Sequence, residues 1–202
     1  MCDIDVSHVQ AEPDDPDSLA PPADSSSKLL FNKPLDTEDS NAIYFEILEP
    51  VTLRYTFKSR PARNFGTSFN QSYQSVELVI GDPLNGCSAV SNAQQIRGNS
   101  VLFQRGDCSF LTKAVVAQEA GALFLIITDN DPGSMSTKID MVHDETGRTV
   151  NIPALFIAGK DGFMIQKELK KLEYGSFALL NIPINLTSIP YDQRKVPPWN
   201  IV

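Results

Sequence analysis

Of the seven residues Ala122–Thr128 (ALFLIIT), only Thr128 is polar. A strand with one wet face alternates apolar and polar residues, so an unbroken apolar run needs cover on both faces. The flanking sequence supplies that cover. Ser100–Gln104 (SVLFQ) reads as a short buried strand, after which the period lengthens: Phe110, Ala114, Ala117 and Ala120 share one helical face, with Leu111 and Val115 beside it. Asp107 or Ser109 can cap the start of that helix, and Gly121 can stop it. The pattern then repeats. Ile152–Ile157 (IPALFI) is a buried strand, Gly159-Lys160-Asp161-Gly162 reads as a turn, and Phe163–Leu172 is amphipathic. Its Ile165, Leu169 and Leu172 oppose Lys167, Lys170 and Lys171, a solvated face, and Gly175 ends it.

Upstream the signals are those of β structure. Ile43–Leu48 (IYFEIL) is a strand ended by Pro50, Val51–Phe57 (VTLRYTF) alternates as a half-buried strand should, and Ser75–Ile80 (SVELVI) is a third. Ser59–Asn70, with Pro61, Asn64 and Gly66, reads as a loop, and Ser176–Ile184 (SFALLNIPI) as the last strand. The expectation is a mixed α and β fold: a curved β-sandwich or open β-barrel flanked by two or more helices.

Charge divides the chain. Residues 1–40 carry ten acidic and two basic residues, while 41–202 carry fifteen of each, so the whole net charge of −8 belongs to the first forty residues. Five prolines and a single small apolar cluster, Leu29-Leu30-Phe31, accompany it. Residues 1–41 are therefore expected to be a disordered acidic tail, residues 42–190 the domain, and residues 191–202 a Pro-rich C-terminal tail. A neutral domain behind an acidic arm is a poor partner for nucleic acid or an anionic membrane. No window reaches the ~18 apolar residues of a membrane span.

Catalytic signatures are absent, and the remaining candidates are sparse. His143, beside Asp144 and Glu145, is the one base available to a hydrolase in the domain. Asp129, Asp131 and Asp140 have part of a calcium-loop spacing, but Ser134 stands where glycine is required and Pro132 stiffens the loop. We expect no enzyme, no cofactor and no metal, with a hydrolase built on His143 or the loop carboxylates as the alternative. Loops 59–75 and 129–150 are the candidate binding surfaces, since recognition usually sits on loops held by a rigid scaffold.

Cys2, Cys87 and Cys108 fit no zinc pattern. Spacing leaves two readings open: three unrelated thiols, or one Cys87–Cys108 bridge with Cys2 left over. Cys108 at the mouth of a helix could also be an acidified thiol. Two sequons, at Asn70 (Asn70-Gln71-Ser72) and Asn185 (Asn185-Leu186-Thr187), fall in expected loops or strand ends. Met1–Ala20 contains no signal-like segment, which by itself points to the cytosol.

The stretch from Gly98 to Lys113, with Arg105-Gly106, Cys108, Ser109-Phe110 and Lys113, resembles the central motif of the protease-associated domain. The similarity continues through Gln118–Ala122, Leu123–Thr128 with Asp129-Asn130, Ile152–Ile157 and Asp161-Gly162, and spans about residues 43–200. The resemblance implies an open β-barrel with flanking helices, a Cys87–Cys108 disulfide, a glycan on Asn185, and a non-catalytic secreted or luminal module. Such a module mediates protein or peptide binding, with a structural secretory-pathway protein without a fixed ligand as a further alternative. Asn70 has no counterpart in that pattern. The family carries a signal peptide where this chain has its acidic tail, so the first forty residues are expected to be foreign to the domain, and a cytoplasmic isoform is the alternative.

Overall fold

The computed structural model describes residues 41–172 and 177–201. The expected acidic tail lies outside them apart from Asn41, as do Cys2, the helix stop at Gly175 and the start of the last strand at Ser176. Seven strands form the frame: β1 Ile43–Glu49, β2 Thr56–Pro61, β3 Tyr73–Ile80, β4 Ser100–Gln104, β5 Phe124–Thr128, β6 Ala154–Ile157 and β7 Ala178–Ile184. Three helices join them: α1 Ala93–Ile96, α2 Phe110–Glu119 and α3 Gly159–Leu169.

The strands close into a barrel in the order β1-β2-β6-β5-β4-β3-β7. The neighbours β3, β4, β5 and β6 run parallel. Each parallel pairing requires a crossover between its strands. The crossover from β4 to β5 carries α2, and that from β5 to β6 is the irregular loop 129–153. The expected mixed α and β barrel is what forms, and it is closed rather than open. Closure comes from β7, which pairs with β1 on one side and β3 on the other (Tyr44↔Ile184, Leu78↔Ala178) and so leaves no free edge.

Strand alternation divides the apolar residues between two cores. Phe45, Phe57, Leu78, Leu102, Phe124, Ile126, Leu155 and Leu180 belong to a cluster fed by all seven strands, the barrel interior, with Ile165 and Leu169 of α3 packed into it. Val101, Phe103, Leu125, Ile127 and Phe156 face the other way and pack under Leu111, Ala114 and Ala117 of α2. All five residues of β5 are buried, which explains the unbroken apolar run. The run has no polar face because neither face meets water.

Four local expectations are corrected. Val51–Phe57 is not one strand: residues 51–53 form a 3-10 turn and β2 starts at Thr56. The alternation there falls inside a chain reversal, since β1 and β2 pair only as far as Glu46↔Thr56. The 59–75 loop shortens at both ends, because Ser59–Pro61 completes β2 and β3 begins at Tyr73. Helix α1 was not anticipated, its four residues being too few to show a period.

The fourth concerns Gly159-Lys160-Asp161-Gly162, which is the first turn of α3 rather than a turn before it. Its glycines serve close approach. A Cβ on Gly159 would lie 1.8 Å from the Asp131 carbonyl oxygen, and one on Gly162 would lie 1.8 Å from Thr128 Oγ1. Gly159→Ala should therefore lower stability by about 1–3 kcal/mol through overpacking, despite alanine's better helix propensity. Urea denaturation measures this, and an unchanged or raised midpoint would contradict it.

The C-terminal stretch expected to be a tail packs on the barrel. Thr56 N donates to Lys195 O at 2.7 Å. Trp199 stacks edge-on to Tyr55 and lies tilted over Phe57, with ring centroids 5.5 and 6.5 Å apart. Its Nε1 donates to Oδ1 of buried Asp161 at 2.8 Å, and Asn200 Nδ2 donates to the same oxygen at 2.9 Å.

Candidate binding groove and the disulfide node

The two loops chosen from sequence meet at one place. Past the end of β2, Ala62 N donates to Ala154 O, Arg63 N to Met141 O and Thr67 N to Ile152 O. The segment 62–67 is thus laid along the start of β6 and against the 129–150 loop. Between them and the chain entering β1 runs a groove of about 410 Å³, floored by Phe65, Phe69, Pro153 and Leu155. It adjoins a second hollow of about 330 Å³ lined by Arg60, Arg63 and Asp140.

At that junction Arg60 and Arg63 share a single carboxylate. Arg60 Nη2 lies 2.9 Å and Arg63 Nη1 3.6 Å from the two oxygens of Asp140. The Arg63 side chain is 69% exposed against 29% for Arg60, so Arg63 is the one free to turn to a ligand. Among the described residues these two arginines share the one carboxylate, which leaves one positive charge beside an apolar floor.

The same geometry disperses the candidate catalytic and metal residues. Asp140 serves the arginines, Asp129 accepts from Arg105 Nη1 at 3.3 Å, and Asp131 Oδ1 accepts from Gly133 N at 2.9 Å. Among the described residues no three His, Cys, Asp or Glu side chains are grouped to hold a metal ion. His143 uses both ring nitrogens on backbone: Nδ1 accepts from Glu145 N at 2.9 Å and Nε2 faces Arg148 O at 3.2 Å.

Asp144, its neighbour, is the anchor of the long loop. It accepts from Ser109 Oγ at 2.5 Å, Thr146 Oγ1 at 2.6 Å and Arg148 Nη2 at 2.6 Å. The hydrogen bonds from Ser109 and Thr146 hold its carboxyl well below the usual carboxylate range. Ser109 is also the N-cap of α2, accepting from Thr112 N at 3.0 Å, so loop and helix are tied at one hydroxyl.

Cys87 and Cys108 are bonded to each other, with Cα atoms 5.7 Å apart. Under the bridge lies the lysine that closes the Gly98–Lys113 motif. Lys113 is fully buried. Its Nζ donates to Asn85 O and to Gly106 O, the latter at 2.7 Å, and lies 3.4 and 3.5 Å from the sulfurs of Cys87 and Cys108. Burial pushes its ammonium below the ordinary lysine range, and the charge of Asp107 offsets part of that. Position 113 lies three residues after Phe110 and four before Ala117, on the apolar stripe of α2. A lysine on that stripe was the available signal.

Asn185 and Asn70 are both exposed. Asn185 follows β7 and caps a 3-10 turn, its Oδ1 accepting from Thr187 N at 3.0 Å and Thr187 Oγ1 at 2.6 Å. Asn70 sits beside Phe69, which packs against Tyr73 and Phe124. No helix among the described residues is long and apolar enough to cross a membrane.

Comparison with known proteins supplies the family. The family model described as "PA domain" matches residues 74–165. A Drosophila melanogaster protein, "PRADC1-like protein", is 44% identical over 170 residues, covering 82% of this chain and 86% of its own length. The human "ER degradation-enhancing alpha-mannosidase-like protein 3" is 31% identical over 132 residues, 63% of this chain but only 14% of that protein. Among solved structures, a zinc aminopeptidase from Bacillus subtilis superposes over 70% of this chain and 30% of its own, with a TM-score of 0.47 and 18% identity. With 86% of a 44% identical relative covered, and the barrel and helices in place, the chain belongs to the PA domain family.

Proposed function

We propose that this domain is a non-catalytic secretory-pathway module that binds a segment of another protein in the groove between residues 61–69 and 153–155. The observation that carries the reading is the pair Arg60 and Arg63 sharing Asp140 beside an apolar floor. An extended segment with one apolar side chain and one carboxylate would fill the floor and supply the missing negative charge. The engagement of both His143 nitrogens with backbone supports a binding role over hydrolysis.

Fluorescence anisotropy with a pool of Asp- and Glu-containing decapeptides tests the groove. Arg63→Glu should weaken binding about tenfold or more at low salt, with the difference shrinking as salt rises, because Arg63 is exposed. Equal binding by the wild type and the charge-reversed variant would refute the site.

The secretory half of the proposal is supported by the disulfide, which persists in oxidising compartments. It predicts a glycan on Asn185. Expressed in secreting cells, the protein should show one glycosidase-sensitive mobility step that Asn185→Gln and Thr187→Ala each abolish. A second step lost with Asn70→Gln would assign the other sequon. An unshifted, fully reduced intracellular protein would sink the secretory assignment.

A further inference from the structure

We propose that the Cys87–Cys108 disulfide is a reversible redox couple whose reduced form is held as a Cys108 thiolate against Lys113. The argument starts from where the charge of Lys113 goes. The side chain is 0% exposed, and among the described residues it has no ion-pair partner. Asp107, which acts on it from a distance, has its carboxylate engaged by Asn85 Nδ2 at 3.0 Å. In the oxidised protein a buried ammonium is therefore met only by two carbonyl oxygens and two neutral sulfurs.

That is an unfavourable place for a cation and a favourable one for an anion to appear. Reduction makes an anion available 3.5 Å away, at Cys108. Cys108 also directly precedes Ser109, the N-cap of a ten-residue helix, so the positive end of the helix dipole acts on the same sulfur. Both cysteines are half-buried rather than fully enclosed in the core.

The step balances with a dithiol as reductant. Its thiolate attacks Cys87 Sγ, the S–S bond breaks, and Cys108 leaves as a thiolate toward Lys113. The second reductant thiol then resolves the mixed disulfide. The products are a Cys87 thiol, the Cys108 thiolate, the reductant's disulfide and one proton released to solvent. Two electrons pass from the dithiol to the protein. Stabilising the leaving thiolate stabilises the reduced form, so Lys113 makes the bridge easier to reduce than a bridge lacking a cation.

Redox equilibration of the full chain in glutathione buffers, with thiol trapping and peptide mass mapping to keep Cys2 apart, tests this. Lys113→Met should be harder to reduce, shifting the equilibrium constant about tenfold, which is about 30 mV for a two-electron couple. A folded Lys113→Met with an unchanged equilibrium would overturn the proposal. A second measurement needs no variant: the pH profile of iodoacetamide alkylation of the reduced native protein. Cys108 should alkylate with an inflection well below the ordinary thiol value of about 8.5 while Cys87 does not. If Lys113→Met fails to fold, this profile decides, and ordinary titration of both thiols would reject the thiolate and the couple with it.

Discussion

Trp199→Ala should lower stability by about 2–3 kcal/mol, although the half-buried residue lies three positions from the end of the chain. The indole covers Phe57, which is fully buried, and packs edge-on against Tyr55. Removing it exposes that end of the barrel core and takes one donor from Asp161, a residue that is only 3% exposed. Urea denaturation at neutral pH measures the loss. A change below 1 kcal/mol would show that the C-terminal segment rests on the barrel without contributing to it.

The loss should also depend on pH with a definite sign. Burial raises the Asp161 carboxyl above its ordinary value of 3.8, outweighing the hydrogen bonds from Trp199 and Asn200, which act the other way. A group raised in the folded state contributes stability that is full below its unfolded value and lost as pH rises through its folded value. Opening the site to water returns the carboxyl toward its ordinary range and removes that contribution. The difference between wild type and Trp199→Ala should therefore be larger below pH 3.8 than at pH 7. Other acids, Asp144 included, are present in both proteins and cancel in the comparison.

What could be read ahead of the structure follows from how local each signal is. The apolar run 122–128 identifies a doubly covered strand because burial on both faces leaves no position for a polar residue. The α2 stripe is equally local and appears where expected, and of the two caps offered, Asp107 and Ser109, the helix uses Ser109. The errors fall where a distant neighbour decides. Gly159 and Gly162 look like turn formers, but they are small because Asp131 O and Thr128 Oγ1 occupy the space a Cβ would need. Val51–Phe57 alternates like a strand, yet the antiparallel pairing of β1 with β2 requires the chain to reverse there.

The site shows the same division. The 59–75 and 129–150 loops could be chosen because long polar segments on a strand-rich scaffold favour recognition. Their meeting at Asp140, through Arg60 and Arg63, depends on pairings across 80 residues that no local pattern encodes. Barrel closure was missed for the same reason, since it rests on β7 finding both β1 and β3. Lys113 stands in the Gly98–Lys113 motif, but its burial is not written there: its acceptors, Asn85 O and Gly106 O, come from the segments that the disulfide joins.

Replacing both bridge cysteines, Cys87→Ser with Cys108→Ser, should cost more than the ~3 kcal/mol of loop entropy that the bridge removes from the unfolded chain. The bridge joins positions 21 residues apart, and the chain-entropy model assigns roughly that value to a loop of this size. The effect should exceed the entropy of one loop, because the bridge also positions Asn85 and Gly106 around the buried Lys113. If the 85–87 segment moves away, the ammonium loses acceptors that nothing else supplies, and an unpaired buried charge is among the larger penalties a mutation can introduce. The total loss should then fall in the upper part of the 2–5 kcal/mol range known for native disulfides. A denaturation midpoint within experimental error of the wild type would mean that the hydrogen bonds of Lys113 alone hold the node, and that the bridge is dispensable to the fold.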